Sequence, residues 1–214
     1  MNNELKKYIS LVTDPEAKEI VKRNIDLMKY KSTHPKENIL GTGENIHWFE
    51  FVKNELNISQ YNSLLDVGCG TLEWSRRFNV KGTVGIDSYD GVRQLATKYS
   101  SKFILMEAED ILERFGENSF DAVMEFDFIE HVLDVEHAIK IIDDMEKIAR
   151  NLVLHMIPLD SIETTGSKAG ILEHKKPWKH CIQLTPEFFA ERGYETNILC
   201  GDMKKIFAWK VLDK

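Results

Sequence analysis

The chain has 214 residues, 43% of them hydrophobic and 29% charged, which suits one globular domain with a modest appendage and excludes a disordered chain. With 28 Lys+Arg against 35 Asp+Glu the formal charge is −7, so the surface as a whole repels phosphate backbones and anionic lipid headgroups, and nucleic acid is not an expected partner. Three widely spaced cysteines, Cys69, Cys181 and Cys200, fit neither a disulfide framework nor a zinc ribbon, and a reducing cytoplasm is the expected location.

From Met1 to Val21 the residues Glu4, Lys6, Lys7, Asp14, Glu16 and Lys18 interrupt any apolar run, so no signal peptide is expected. No stretch approaches the roughly 20 apolar residues of a membrane span. Between Asn3 and Tyr30 the apolar residues Ile9, Leu11, Val12, Ile20, Val21, Ile25 and Met28 recur at helix-face intervals, with Pro15 after Asp14 starting a second helix. Lys31 to Gly43 reads as a loop and Glu44 to Leu56 as a further amphipathic helix. Residues 1–60 are thus an expected N-terminal helical cap, whose Tyr30 and His47-Trp48-Phe49 run suit core packing or the wall of a pocket.

After Gln60 short apolar runs alternate with charged helical stretches, the pattern of a mostly parallel sheet covered by helices. Strands are predicted at Ser63–Val67, Lys81–Ile86, Lys102–Met106, Phe120–Glu125, Asn151–Ile157, Tyr194–Cys200 and Lys204–Val211. Helices are predicted at Leu72–Phe78, Gly91–Tyr99, Asp110–Phe115, Val135–Ala149 and Pro186–Arg192. Residues 61–214 therefore read as a doubly wound α/β domain with a seven-stranded sheet. Its last two strands are separated only by a turn at Gly201-Asp202, so that end is expected to be antiparallel. Residues 158–184, with Gly166, Gly170, Pro177 and many polar side chains, break the alternation and are predicted to be a substrate loop.

Leu64-Leu65-Asp66-Val67-Gly68-Cys69-Gly70-Thr71 is an apolar strand that ends in a carboxylate and turns through two glycines, residues suited to a sharp bend with a ligand against the backbone. Asp87, followed by Ser88, ends the second strand at about the 20-residue distance expected of a ribose-binding acid. Ala108-Glu109-Asp110 follows the third strand and supplies an acceptor for an exocyclic amine. Each acid alone is equally a solvated helix cap. Together, Asp66, Asp87 and Asp110 are predicted to converge on one crevice at the carboxyl ends of neighbouring strands.

This order of motifs resembles the class I S-adenosylmethionine-dependent methyltransferases, in the small-molecule group with an Asp-Val-Gly-Cys-Gly first motif, over roughly Asn62 to Lys214. The resemblance implies a Rossmann-like fold, S-adenosylmethionine as cofactor and S-adenosylhomocysteine as its product. It implies that Asp66, Gly68, Cys69 and Gly70 line the methionine part, that Asp87 with Ser88 holds the ribose, and that Ala108, Glu109 and Asp110 meet the adenine. Glu125 and Phe126 match the position that closes over the sulfonium side, while Leu72 stands where the family has its third glycine. Asp127-Phe128-Ile129-Glu130-His131-Val132 resembles the group's Glu-His-Val/Leu signature, which makes His131 either a general base or a packing histidine at a helix start. His180, close to an expected Thr185-Pro186 helix start, is the second catalytic candidate.

Three rival readings follow from the same residues. A dinucleotide site needs a third glycine where Glu73 stands, and a carboxylate there repels a pyrophosphate. Asp127, Glu130, His131 and His180 loosely echo the metal site of small-RNA 2′-O-methyltransferases, a reading that the acidic charge opposes, and no metal is expected. A catalytically silent binding module of the same fold is the third. The expected activity is methyl transfer to an oxygen or nitrogen of a small or medium-sized acceptor, with carbon acceptors open. Lys168, Lys175, Lys176 and Lys179 make the substrate loop basic, as an anionic substrate or plain solvation requires.

Overall fold

The computed structural model describes residues 46–72, 74–90, 93, 102–132, 134–159, 164–168, 171–174, 181–199 and 204–213. The helices expected before residue 45, most of the Gly91–Tyr99 helix, and the candidates Trp178, His180, Lys175, Lys176 and Lys179 lie outside the described residues.

Strands β1 (Ser63–Val67), β2 (Gly82–Asp87), β3 (Lys102–Leu105), β4 (Phe120–Phe126) and β5 (Ala149–Pro158) are mutually parallel neighbours in a sheet completed by β9 (Glu195–Leu199) and β10 (Lys205–Val211). The order is β3-β2-β1-β4-β5-β10-β9, with β10 antiparallel to both β5 and β9. Seven strands, mostly parallel and antiparallel at the far end, match the predicted α/β fold. The order reverses between β1 and β4, and a crevice outside the carboxyl ends at such a reversal is where this architecture takes its ligands.

Continuous apolar runs form the central strands because both sheet faces are covered. On one face Leu65, Val67, Val123, Val153 and Ile206 pack against α2 (Ile111–Phe115), α3 (Val135–Ile148) and α4 (Pro186–Glu191). Helix α3 buries Val135, Ala138, Ile141, Ile142, Met145 and Ile148, a single stripe at three- and four-residue spacing, and its N-cap Asp134 accepts the His137 amide at 2.9 Å. Thr185 caps α4 with Pro186 in the first turn, as expected. On the other face Leu64, Met124, Phe126, Leu154 and Phe207 pack against α1 (Ile46–Asn54) and the turn Ser75–Phe78. The Phe49 ring stacks on Phe78 at 5.1 Å, so α1 shares the core of the main domain rather than standing apart.

Two predicted elements take other forms. The helix expected at Leu72–Phe78 is only the short 3-10 turn Ser75–Phe78, because Leu72 adopts φ 59° and a left-handed residue cannot open a right-handed helix. The expected substrate loop contains a three-stranded antiparallel sheet, β6 (Thr164–Lys168), β7 (Ile171–His174) and β8 (Ile182–Leu184). Backbone pairing there overrides the turn-rich composition.

The fully buried Leu72 side chain reaches over Gly85 of β2, where a Cβ would lie 2.5 Å from Leu72 Cδ2 and 2.7 Å from Cys69 Sγ. Gly85→Ala is therefore expected to cost about 1–3 kcal/mol by overpacking. Adding Leu72→Ala is expected to cost less in the Gly85→Ala background than in the wild type, a coupling that denaturant titration of the four proteins measures.

Candidate functional site

The turn after β1 is built on two glycines in left-handed geometry, Gly68 at φ 64° and Gly70 at φ 48°. They are glycine for different reasons. A Cβ on Gly68 would stand 2.3 Å from the Phe128 ring, whereas one on Gly70 would meet no heavy atom within 4 Å, so open space adjoins the backbone there. The turn is laced to the end of β2. Cys69 donates its amide to Ile86 O at 2.9 Å, and Gly70 donates its own to Asp87 Oδ2 at 3.0 Å. Asp87 Oδ1 accepts the Tyr89 amide at 2.8 Å. These two amides fix the plane of the Asp87 carboxylate at the end of β2.

Asp66 is buried beneath this turn, where its Oδ2 accepts the Ser75 hydroxyl at 2.5 Å. Burial pushes its carboxyl up to about 7, with the Asp87 charge adding to the rise and the Ser75 bond opposing it. The same two carboxylates, after burial, hold the Cys69 thiol well above its ordinary range. At the end of β3 the Met106 amide donates to Asp87 O at 3.1 Å, joining that strand to the others. Glu107 follows, its carboxyl raised by burial and by Glu109, Asp110 and Asp87, and lowered by a hydrogen bond with Ser88. Ala108, Glu109 and Asp110 form a 3-10 turn in which Ala108 is buried; Asp110 is exposed at the start of α2 and makes no side-chain cap. Asp66, Asp87 and Asp110 thus stand around one run of strand ends, linked through Asp87 and Glu107. Sequence reading missed Glu107, although it sits one residue before the motif chosen.

The end of β4 departs from expectation. Glu125 and Phe126, predicted to close together over one part of a ligand, project to opposite faces of the sheet, as consecutive strand residues must. Phe126 packs edge-on against Trp74 at 6.1 Å and Phe207 at 6.4 Å. Glu125 has no exposed surface; its Oε1 lies 2.9 Å from His155 Nδ1 and its Oε2 accepts the Ile129 amide at 3.3 Å. Its carboxyl is committed inside the protein. Asp127, at φ 56°, is held by Lys205 Nζ at 2.6 Å, which takes this carboxylate out of the divalent-ion set sketched from the sequence. Among the described residues no group of three or more His, Cys, Asp or Glu side chains is placed to hold a metal ion.

His131 ends the turn Ile129–His131, with its side chain 14% exposed and Nε2 3.8 Å from Glu130 Oε1. The start of the following β-element lies against this turn, since Cys181 donates its amide to Glu130 O at 2.7 Å.

Residues 65–148 match the family model described as a methyltransferase domain. No curated protein matches the chain. Among solved structures, the chain is similar to the 1,6-didemethyltoxoflavin-N1-methyltransferase of Burkholderia thailandensis, crystallised with bound 1,6-didemethyltoxoflavin and S-adenosylhomocysteine, at TM-score 0.63 and 9% identity over 90% of this chain and 88% of that one. It is similar to the magnesium protoporphyrin IX methyltransferase of Synechocystis with bound S-adenosylmethionine, at TM-score 0.53 and 12% identity over 99% and 92% of the two chains. A third similar structure is an N-methyltransferase of Bradyrhizobium japonicum in complex with S-adenosylhomocysteine, at TM-score 0.55 and 14% identity over 78% and 88%.

Asp66 sets a pH dependence whose sign is opposite to that of an ordinary carboxylate. The folded chain keeps its proton up to about pH 7, whereas the unfolded chain loses it near 3.8, so this group's contribution to stability falls as pH rises between those values. Asp66→Asn is expected to gain stability relative to the wild type across that window and to level off above it, read as the difference in Tm from pH 4 to pH 8.

Proposed function

We propose that this chain is a class I S-adenosylmethionine-dependent methyltransferase, as the methyltransferase-domain match over residues 65–148 and the shared fold support, and that it methylates an oxygen or nitrogen of a small or medium-sized acceptor. The observation that carries the reading to particular residues is the Gly70–Asp87 hydrogen bond at 3.0 Å beside the open side of Gly70. The residues fit the donor. Its ammonium and sulfonium charges are attracted by the Asp87 and Glu107 carboxylates, which would repel a phosphate-bearing cofactor. The small acceptor is an inference from the toxoflavin and protoporphyrin enzymes of the same fold.

In this assignment Gly68, Cys69 and Gly70 present backbone to the methionine portion, with Asp66 beneath them as a buried acid. Asp87 is the acceptor for the ribose hydroxyls, with Ser88 beside it. Ala108 supplies an apolar wall to the adenine, and Glu109 and Asp110 the polar rim. Phe126 stiffens the floor through Trp74 rather than by contact with the sulfonium.

Bound S-adenosylmethionine supplies an already activated methyl group for in-line displacement. The protein's share is to align the acceptor, exclude water and take a proton where the acceptor arrives protonated. His131 is the base in this proposal. Glu130 adjoins its ring at 3.8 Å and favours the protonated imidazole once the proton has been taken. His180 remains a second candidate on the segment leading to Cys181.

The chain is expected to release S-adenosylhomocysteine only when a competent acceptor is supplied from a panel of small hydroxyl and amine compounds; no release with any of them opposes the acceptor class. Asp87→Ala is expected to weaken S-adenosylhomocysteine binding about 10- to 150-fold by calorimetry, the equivalent of roughly 1.5–3 kcal/mol for hydrogen bonds to a charged acceptor. His131→Ala is expected to lower kcat by roughly 10²- to 10⁴-fold with the cofactor Kd unchanged, whereas a fully active variant reduces His131 to a packing residue.

A further inference from the structure

Glu125 and His155 are register partners on adjacent strands, both without exposed surface, and neither takes part in the assignment above. We propose that Glu125 is a positioning residue, anchored by a buried chain through His155 and Tyr194, that holds the Asp127–His131 turn and with it the Phe128 ring that lies on Gly68.

The hydrogen bonds run in one direction. Tyr194 donates its hydroxyl to Glu146 Oε1 at 3.2 Å, because a carboxylate only accepts. With its one proton used there, Tyr194 OH accepts from His155 Nε2–H at 3.2 Å. In a neutral imidazole His155 Nδ1 then carries no proton, so the 2.9 Å contact with Glu125 Oε1 places the proton on Glu125. A neutral acid and a neutral imidazole are also what burial dictates. Glu125 is pushed well above the carboxylate range by burial and by the Glu130 and Asp127 charges, and His155 is pushed down to about 3 by burial and by Arg192. The far end of the chain is fixed at the surface, where Glu146 meets Lys210 Nζ at 2.9 Å and Arg192 at 3.3 Å.

The other Glu125 oxygen does the positioning. It accepts the Ile129 amide at 3.3 Å and lies within reach of the Phe128 backbone, the start of the turn that His131 closes by donating its amide to Phe128 O at 2.9 Å. Phe128 in turn occupies the space that a Gly68 side chain would fill. One buried carboxyl therefore reaches both the turn bearing the proposed base and the glycine turn. What the turn does rests on the methyltransferase reading; how it is held does not.

Amide hydrogen exchange in the full chain tests the anchoring, with two variants. Glu125→Met removes both hydrogen bonds at similar volume; Glu125→Gln keeps a donor for His155 and an acceptor for Ile129. In the Met variant the Ile129 and His131 amides are expected to exchange about 10-fold faster or more while those of β1 hold, and S-adenosylhomocysteine binding is expected to weaken in step. The Gln variant is expected to restore both to within about threefold. Unchanged exchange in the Met variant, or a Gln variant as fast as it, overturns the proposal. Should the Met variant fail to fold, Tyr194→Phe cuts the chain at its far end and keeps the ring. Faster exchange at Ile129 then supports the anchoring and unchanged exchange rejects it. Total loss of S-adenosylhomocysteine binding in the wild type would sink the functional reading and leave the exchange result standing.

Discussion

The Gly70 amide on the Asp87 carboxylate is the bond on which the site depends. It joins the ends of β1 and β2 at 3.0 Å, and because Asp87 also receives the Tyr89 amide, the carboxylate is held in one orientation before any ligand arrives. A charged acceptor in a nearly closed position is stabilised by such backbone donors, which replace water that burial removes. The tie also fixes the left-handed Gly70, and thereby the side from which a ligand approaches the backbone. The Cys69–Ile86 bond and the Leu72 amide on Cys69 O hold the rest of the turn's path.

A second constraint comes from the two-residue period of a strand. Glu125 and Phe126 match the position that closes over the sulfonium side, and the pleat sends the two to opposite layers. Phe126 joins the aromatic floor with Trp74 and Phe207, and Glu125 enters the layer of α3 and α4, where His155 and Tyr194 meet it. Burying so many polar groups is tolerable because each of these bonds is made within the protein. The Ile129 amide then ties the loop beyond β4 to that layer. Rigidity at the rim of the crevice is in this way drawn from the side of the sheet facing away from Asp66.

Much of this was legible in the chain because the signals are local. Strands such as Leu64-Leu65-Asp66-Val67 and Val123-Met124 are largely apolar, and Thr185 announces its helix by capping. Leu72 hid the missing helix, since a leucine carries no warning that its backbone is left-handed; the reason lies in β2, where Gly85 leaves room for its side chain. The small β6-β7-β8 sheet was hidden by composition, because ladder bonds between Thr164–Lys168 and Ile171–His174 do not need an apolar pattern. Glu125 was visible as an acid at a strand end, but its partners His155 and Tyr194 lie 30 and 69 residues on, and no spacing rule connects them.

The acids of the crevice also explain why it has the charge it has. After burial, the Asp87 charge adds to the proton affinity of both Asp66 and Glu107, so in the absence of a cation the cluster is electrostatically costly. That cost is partly relieved by protonation at Asp66 and by the backbone donors at Asp87. A ligand bearing two positive groups relieves it more fully, because each carboxylate then gains an attraction where it had a repulsion. A dinucleotide brings the opposite sign to the same turn and would add to the repulsion. The electrostatics and the Gly70 geometry therefore select the same class of guest by independent routes, one through charge and one through space.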